Sequence, residues 1–134
     1  MAERKIAESI TSSVSYVAGD GVENITLTGS DHIDATGNAL DNTLIGNSGA
    51  NLLIGGDGND TLTGGTGADQ FQLGGGDDQV TDFSVPSGDT VGIEVWQNYL
   101  ISQVGDDALI TVASVGSIRL NNFNSGDWEE EEYI

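Results

Sequence analysis

The sequence predicts an all-β chain: a right-handed parallel β-roll (a β-solenoid) of about three coils, with a mostly antiparallel capping segment at its C-terminal end. Three observations carry this expectation. Glycines recur every nine residues through the middle of the chain, one large apolar residue recurs with the same period, and Asp or Asn recurs at a fixed place between them. A fixed period of this kind is the mark of a stacked-repeat architecture.

Composition sets the limits first. A chain of 134 residues suits one domain. Its hydrophobic share is 37 %, and 20 glycines add backbone entropy that folding must overcome. There is only 1 proline and no every-third-residue glycine pattern, which excludes collagen and Pro-rich linkers. The apolar inventory looks too small to drive folding alone. Against 22 acidic residues stand 3 basic ones, for a formal net charge of −19. Such a field repels phosphate, so nucleic acid and anionic membrane surfaces are poor partner candidates, and no nucleic-acid partner is expected. What remains is a disordered acidic tail or a cation binder, and the placement of the carboxylates decides between them. The absence of cysteine removes disulfides and thiolate zinc sites. The first residues lack the apolar run of a signal peptide and no stretch is expected to insert into a membrane, so export would use an address elsewhere.

The repeats run from Gly37 as GNALDNTLI (37–45), GNSGANLLI (46–54), GGDGNDTLT (55–63), GGTGADQFQ (64–72) and LGGGDDQVT (73–81). The third and fourth match G-G-x-G-x-D-x-U-x at every specified place, U being a large apolar residue. The fifth lacks only its first glycine. The first two carry Asn42 and Asn51 for Asp, and Asn38 and Asn47 for the second glycine. A disordered Gly/Asp-rich linker would not hold Leu44, Leu53, Leu62, Phe71 and Val80 in this frame.

Each part of the repeat has a physical task. The x-U-x piece is a short strand with its middle side chain inward, because strand side chains alternate. The G-G-x-G-x-D piece is the turn, where glycine admits positive φ and lets backbone carbonyls approach. Two nonapeptides complete a coil, so residues eighteen apart are expected to stack at about 4.8 Å. Leu44, Leu62 and Val80 then line one sheet, and Ala35, Leu53 and Phe71 the other. Asp60 falls between Asn42 and Asp78 on one edge, and Asp69 beside Asn51 on the other. Two bare carboxylates at that spacing repel by about 1 kcal/mol in bulk water and about 4 kcal/mol near a protein surface. A hard dication reverses the sign. Ca²⁺ takes six to eight oxygens from carboxylates and carbonyls, whereas Mg²⁺ keeps its waters and a tighter octahedron.

These repeats, with the lead-in Gly21-Val-Glu-Asn-Ile-Thr-Leu-Thr-Gly29, resemble the RTX (hemolysin-type calcium-binding) repeat proteins. The resemblance implies Ca²⁺, about two to four ions, held between stacked turns by Asp side chains and main-chain carbonyls. Carried over, the first set joins Asp57 O, Asn59 O and Asp60 to Gly74 O, Gly76 O and Asp78. The second joins Ser48 O, Ala50 O and Asn51 to Gly65 O, Gly67 O and Asp69. The third joins Ala39 O, Asp41 O and Asn42 to Gly56 O, Gly58 O and Asp60. The asparagines weaken the last two sets by removing a charge.

Residues 1–36 read as divergent coils covering the N-terminal end of the roll, with strands over 12–16 and 22–27, since an uncapped sheet edge invites aggregation. His32, between Asp31 and Asp34, reads as a surface residue because it has no second His or Cys partner. Residues 37–81 form the calcium-binding roll. Residues 82–134 read as a cap: a Pro-Ser-Gly-Asp turn at 86–89, then strands over 99–104, 108–113 and 117–120 in an antiparallel meander, with Trp96 and Phe123 adding apolar bulk. Asp82 or Asp89 is a candidate to complete the Asp69 turn. The tail Trp128-Glu-Glu-Glu-Glu-Tyr-Ile134 is by composition a solvated charge run. By resemblance it is instead an uncleaved C-terminal signal for type I secretion.

No phosphate-binding glycine motif, EF-hand or G-x-S-x-G elbow occurs, so the chain is expected not to be an enzyme. The function expected is a secreted calcium-binding module that folds on binding Ca²⁺ outside the cell. It would support secretion and folding of a type I-secreted protein, with the secretion apparatus and a covalently linked upstream domain as partners. Two alternatives stand beside it: the non-catalytic C-terminal part of a secreted enzyme such as a protease or lipase, and an adhesin or surface-layer segment.

Overall fold

A computed structural model describes residues 6–72, 74–92, 99–112 and 115–123. The described residues form thirteen strands and no helix. They are β1 (Glu8–Ser12), β2 (Tyr16–Val17), β3 (Val22–Leu27), β4 (Ala35–Thr36), β5 (Thr43–Ile45), β6 (Leu52–Ile54), β7 (Thr61–Thr63), β8 (Gln70–Gln72), β9 (Gly76–Val80), β10 (Thr90–Gly92), β11 (Tyr99–Val104), β12 (Asp107–Val112) and β13 (Gly116–Leu120). Successive strands alternate between two sheets through the roll. The first sheet runs β1-β3-β5-β7-β9-β13-β12-β11 and the second β10-β8-β6-β4-β2. This is a parallel β-roll.

The expected eighteen-residue register is present. Thr43 pairs Thr61, Leu44 pairs Leu62 and Leu62 pairs Val80 in the first sheet, while Ala35 pairs Leu53 and Leu53 pairs Phe71 in the second. The inward residues therefore pile into two files, and Ala35, Leu44, Leu53, Leu62, Phe71 and Val80 are at most 1 % exposed. Each large side chain buried this way is worth about 1.5–3 kcal/mol. The core is narrow but continuous, and more substantial than the 37 % apolar share suggests, because nearly every inward position is sealed by the coil above and below.

The roll is longer than the expected three coils. The second sheet contributes one strand per turn and has five. At the N-terminal end β1 pairs β3 and β2 pairs β4, both parallel, although 8–36 lack the glycine signature. Stacking a strand needs only an inward apolar residue such as Ile25, so the coil outlasts the motif. At the other end β10 pairs β8 in parallel, placing Val91 on Phe71. The strand expected over 12–16 is instead a bend. Ser12 Oγ bonds Val14 O at 2.7 Å and Val14 N at 3.2 Å, and this local turn ends β1 before β2 begins.

The cap is antiparallel between β11, β12 and β13, as expected. Its last strand, β13, pairs in parallel with β9, so the meander extends the first sheet of the roll directly. Phe83 meets Phe123 edge-on at 5.1 Å and Phe71 at 6.3 Å, closing the core at that end. Trp96, Ala113 and the 128–134 tail lie outside the described residues.

Candidate metal centre

The turns between strands form two edges. One carries 37–42, 55–60 and 74–78; the other carries 46–51, 64–69 and a cap loop, 84–89. Glycine is required where coils meet. Gly58 has φ +98°, and a Cβ there would stand 2.7 Å from Leu40 O. Gly67, at φ +99°, lies equally close over Gly49 O. In the same way Gly74 and Gly76 sit directly above Gly56 O and Gly58 O. Carbonyls therefore crowd the gaps between successive turns, and only glycine leaves room for them.

The sixth position of each repeat forms a ladder. Asp60 Oδ1 accepts the Asn42 amide at 2.7 Å, and Asp78 Oδ1 accepts the Asp60 amide at 2.9 Å. On the other edge Asp69 Oδ1 accepts the Asn51 amide, and Asp89 Oδ1 accepts the Asp69 amide, both at 2.9 Å. Each carboxylate thus spends one oxygen on the coil beneath. The second oxygen is different. Asp60 Oδ2 and Asp69 Oδ2 are buried and have no hydrogen-bond partner among the described residues. Leaving a carboxylate oxygen so is costly unless a cation or a proton meets it.

Electrostatics agree with that reading. Burial pushes the Asp60 carboxyl up to about 6, against the lowering effect of its bond from Asn42, with Asp41 and Asp57 adding repulsion. Asp69 and Asp78 rise to about 7, again chiefly by burial, with repulsion from Asp89 and Asp82 on the first and from Asp60 and Asp77 on the second. Asp89 is raised for the same main reason. These groups hold charge reluctantly when nothing positive is present.

A second ladder runs outside the first in the opposite sense. Asp41 Oδ1 accepts the Asn59 amide at 2.8 Å and Asn59 Oδ1 accepts the Asp77 amide at 2.9 Å. Asp57 is exposed, as are Ala39 and Ser48, while Ala50 is half-buried. Asn42 and Asn51 are buried, with both ends of each amide engaged by the protein. The structure thus brings Asp60, Asp78 and the Gly56, Gly58 carbonyls to one gap, and Asp69 and Asp89 meet in another. In the gap below the first, to which the third set assigned those two carbonyls, Asn38 O and Leu40 O stand against Gly56 and Gly58 instead. Among the described residues no group of three or more His, Asp or Glu side chains converges as a metal cluster. An ion held here would complete its shell with carbonyls, which suits a hard, oxygen-seeking cation. His32 is exposed.

Both cap acids take defined places. Asp89 occupies the sixth position of a divergent turn: its Oδ2 accepts the Ser84 amide at 2.9 Å, and Gly88 supplies the positive φ. Asp82 takes the Gly64 and Gly65 amides on its two oxygens, each at 2.8 Å. Asp89 stands twenty residues beyond Asp69, so a strict eighteen-residue count passes over it. The Pro86-Ser-Gly-Asp turn was the available signal.

The family model of the RTX calcium-binding nonapeptide repeat matches in four copies, over residues 36–71 and 54–81. No curated protein matches the chain. The glycine-packed turns, the aspartate ladders and the family match coincide: residues 36–81, folded as a β-roll, carry the RTX calcium-binding nonapeptide repeat.

Proposed function

We propose that this β-roll folds to completion only when Ca²⁺ enters the gaps between its acidic turns, and that it does so outside the cell as part of a type I-secreted protein. The observation that carries the reading is the pair of buried, unpartnered carboxylate oxygens on Asp60 and Asp69. The first ion draws on Asp57 O, Asn59 O, Asp60, Gly74 O and Asp78, with Gly56 O and Gly58 O as further donors beneath Gly74 and Gly76, while Gly76 O faces Gly116 of β13 on the other side. The second draws on the 48–51 and 65–69 turns, and the third on the 39–42 and 56–60 turns. Binding free energy becomes folding free energy, because the site does not exist in the unfolded chain.

Extracellular calcium modules bind at roughly 10⁻⁴–10⁻³ M. At cytosolic calcium the acidic turns stay open, which suits passage through a secretion channel, and outside they close and give a linked upstream domain a folded neighbour. Calorimetry on the chelator-treated chain tests the binding step. About two to four Ca²⁺ should bind per chain, with Mg²⁺ giving little heat and no competition at equal concentration. Fewer than one Ca²⁺ per chain, or equal response to Mg²⁺, overturns the reading.

A further inference from the structure

At the N-terminal end of both edges, amide groups stand where the later turns have bare carboxylates. We infer that Asn38, Asn42, Asn47 and Asn51 determine where along the roll metal is needed: the coils up to Ile54 close without it and form the template on which the acidic turns assemble. The inference rests on the calcium reading above and refines it.

On the first edge Asn42 Nδ2 donates to Val22 O at 3.0 Å and Glu23 O at 3.1 Å, while Asn42 Oδ1 accepts the Asn38 amide at 2.9 Å. Asn38 Nδ2 donates to Gly19 O at 2.9 Å and Val22 O at 2.8 Å, and its Oδ1 accepts the Leu40 amide. Three carbonyls of the coil beneath are thereby satisfied by two neutral side chains. The second edge repeats the arrangement. Asn51 Nδ2 donates to Ile33 O at 2.6 Å, and Asn47 Nδ2 to Asp31 O at 2.9 Å and Thr28 O at 3.2 Å. Asn51 Oδ1 and Asn47 Oδ1 accept the amides of Asn47 and Gly49.

A cation between turns does two things: it satisfies carbonyls and it neutralises carboxylates. Here the amide protons do the first, and the second is not needed because the sixth residue is uncharged. The next turns lose both provisions together. Asp60 and Asp69 have no protons to donate, and the second position becomes Gly56 and Gly65, each at φ +88° and without a side chain. The unpartnered oxygens first occur at this step, on Asp60 and Asp69 and not on the asparagines. Metal dependence therefore begins at Gly55 and runs toward the cap.

Hydrogen exchange on the whole chain in chelator at pH 7.5, read by mass spectrometry of peptides, tests this. Amides of 22–54 should exchange at least tenfold more slowly than those of 55–92, and added Ca²⁺ should extend protection through 92. Uniformly fast exchange in chelator that Ca²⁺ reverses throughout overturns the inference while the calcium reading stands. Uniformly slow exchange in chelator overturns both. As a second arm, the N42D/N51D pair should lose the chelator-resistant protection and regain it with Ca²⁺. Unchanged protection of that pair in chelator also overturns the inference.

Discussion

Replacing Asp60 by alanine should cost the roll more calcium than replacing Asp78. Asp60 reaches down to the Asn42 amide with Oδ1, and its own amide is held by Asp78 Oδ1, so it borders two gaps. Asp78 has Asp60 on one side only; on its other side Ile118 of β13 takes the paired position. Asp60→Ala removes the sole side-chain carboxylate proposed for the gap to the 39–42 turn and one of two in the gap to the 74–78 turn. Calorimetry should show two sites lost or weakened at least tenfold, about 1.4 kcal/mol each, against one for Asp78→Ala. The alanine also orphans the buried Asn42 amide, a further cost of about 1–3 kcal/mol. Asp60→Asn separates the two effects, since its carbonyl oxygen still accepts that bond while the charge is gone. Equal losses for Asp60→Ala and Asp78→Ala would contradict the stacking frame.

Acid should replace calcium in part. Asp60, Asp69 and Asp78 titrate near 3.8 when unfolded and at about 6, 7 and 7 in the metal-free fold. Between those limits the folded chain binds protons that the unfolded chain has released. Stability from these groups is full below pH 3.8 and is lost as pH rises through 6 to 7. In chelator the roll should therefore hold most of its strand content at pH 5 and lose the acidic coils by pH 7.5, where Ca²⁺ restores them. The check is circular dichroism across that range with and without calcium. Chelator-treated protein that gains stability from pH 5 to 7.5 would show that these carboxylates are already satisfied by the protein.

Much of the fold is legible because the nonapeptide spells it out twice: once in the inward file Leu44, Leu62, Val80 and once in the glycines that must lie over carbonyls. The parts that escape reading are those where a strand is specified by stacking rather than by motif. β1, β2 and β10 carry no repeat signature, yet each finds a parallel neighbour, β1 with a register shift between Glu8 and Ser9. The candidate site divides in the same way. Asp60, Asp69 and Asp78 follow from periodicity, whereas Asp89 takes its place through a loop two residues longer than the repeat. The asparagines are visible as departures from the motif. Their meaning depends on where each amide points, and Val22 O and Ile33 O, their acceptors, belong to segments with no repeat of their own. Arg119 reads in sequence only as a rare positive charge; in the fold it meets Asp107 at 3.1 Å across β12 and β13.

The proposal that a divalent ion closes the acidic half of the roll is tested most directly by a calcium titration of the chelated chain at pH 7.5, followed by far-UV circular dichroism with magnesium as control. Strand signal should start well short of its final value, rise with Ca²⁺ in the range of roughly 10⁻⁴–10⁻³ M, and respond little to Mg²⁺. A full strand signal in chelator, unmoved by calcium, would contradict it.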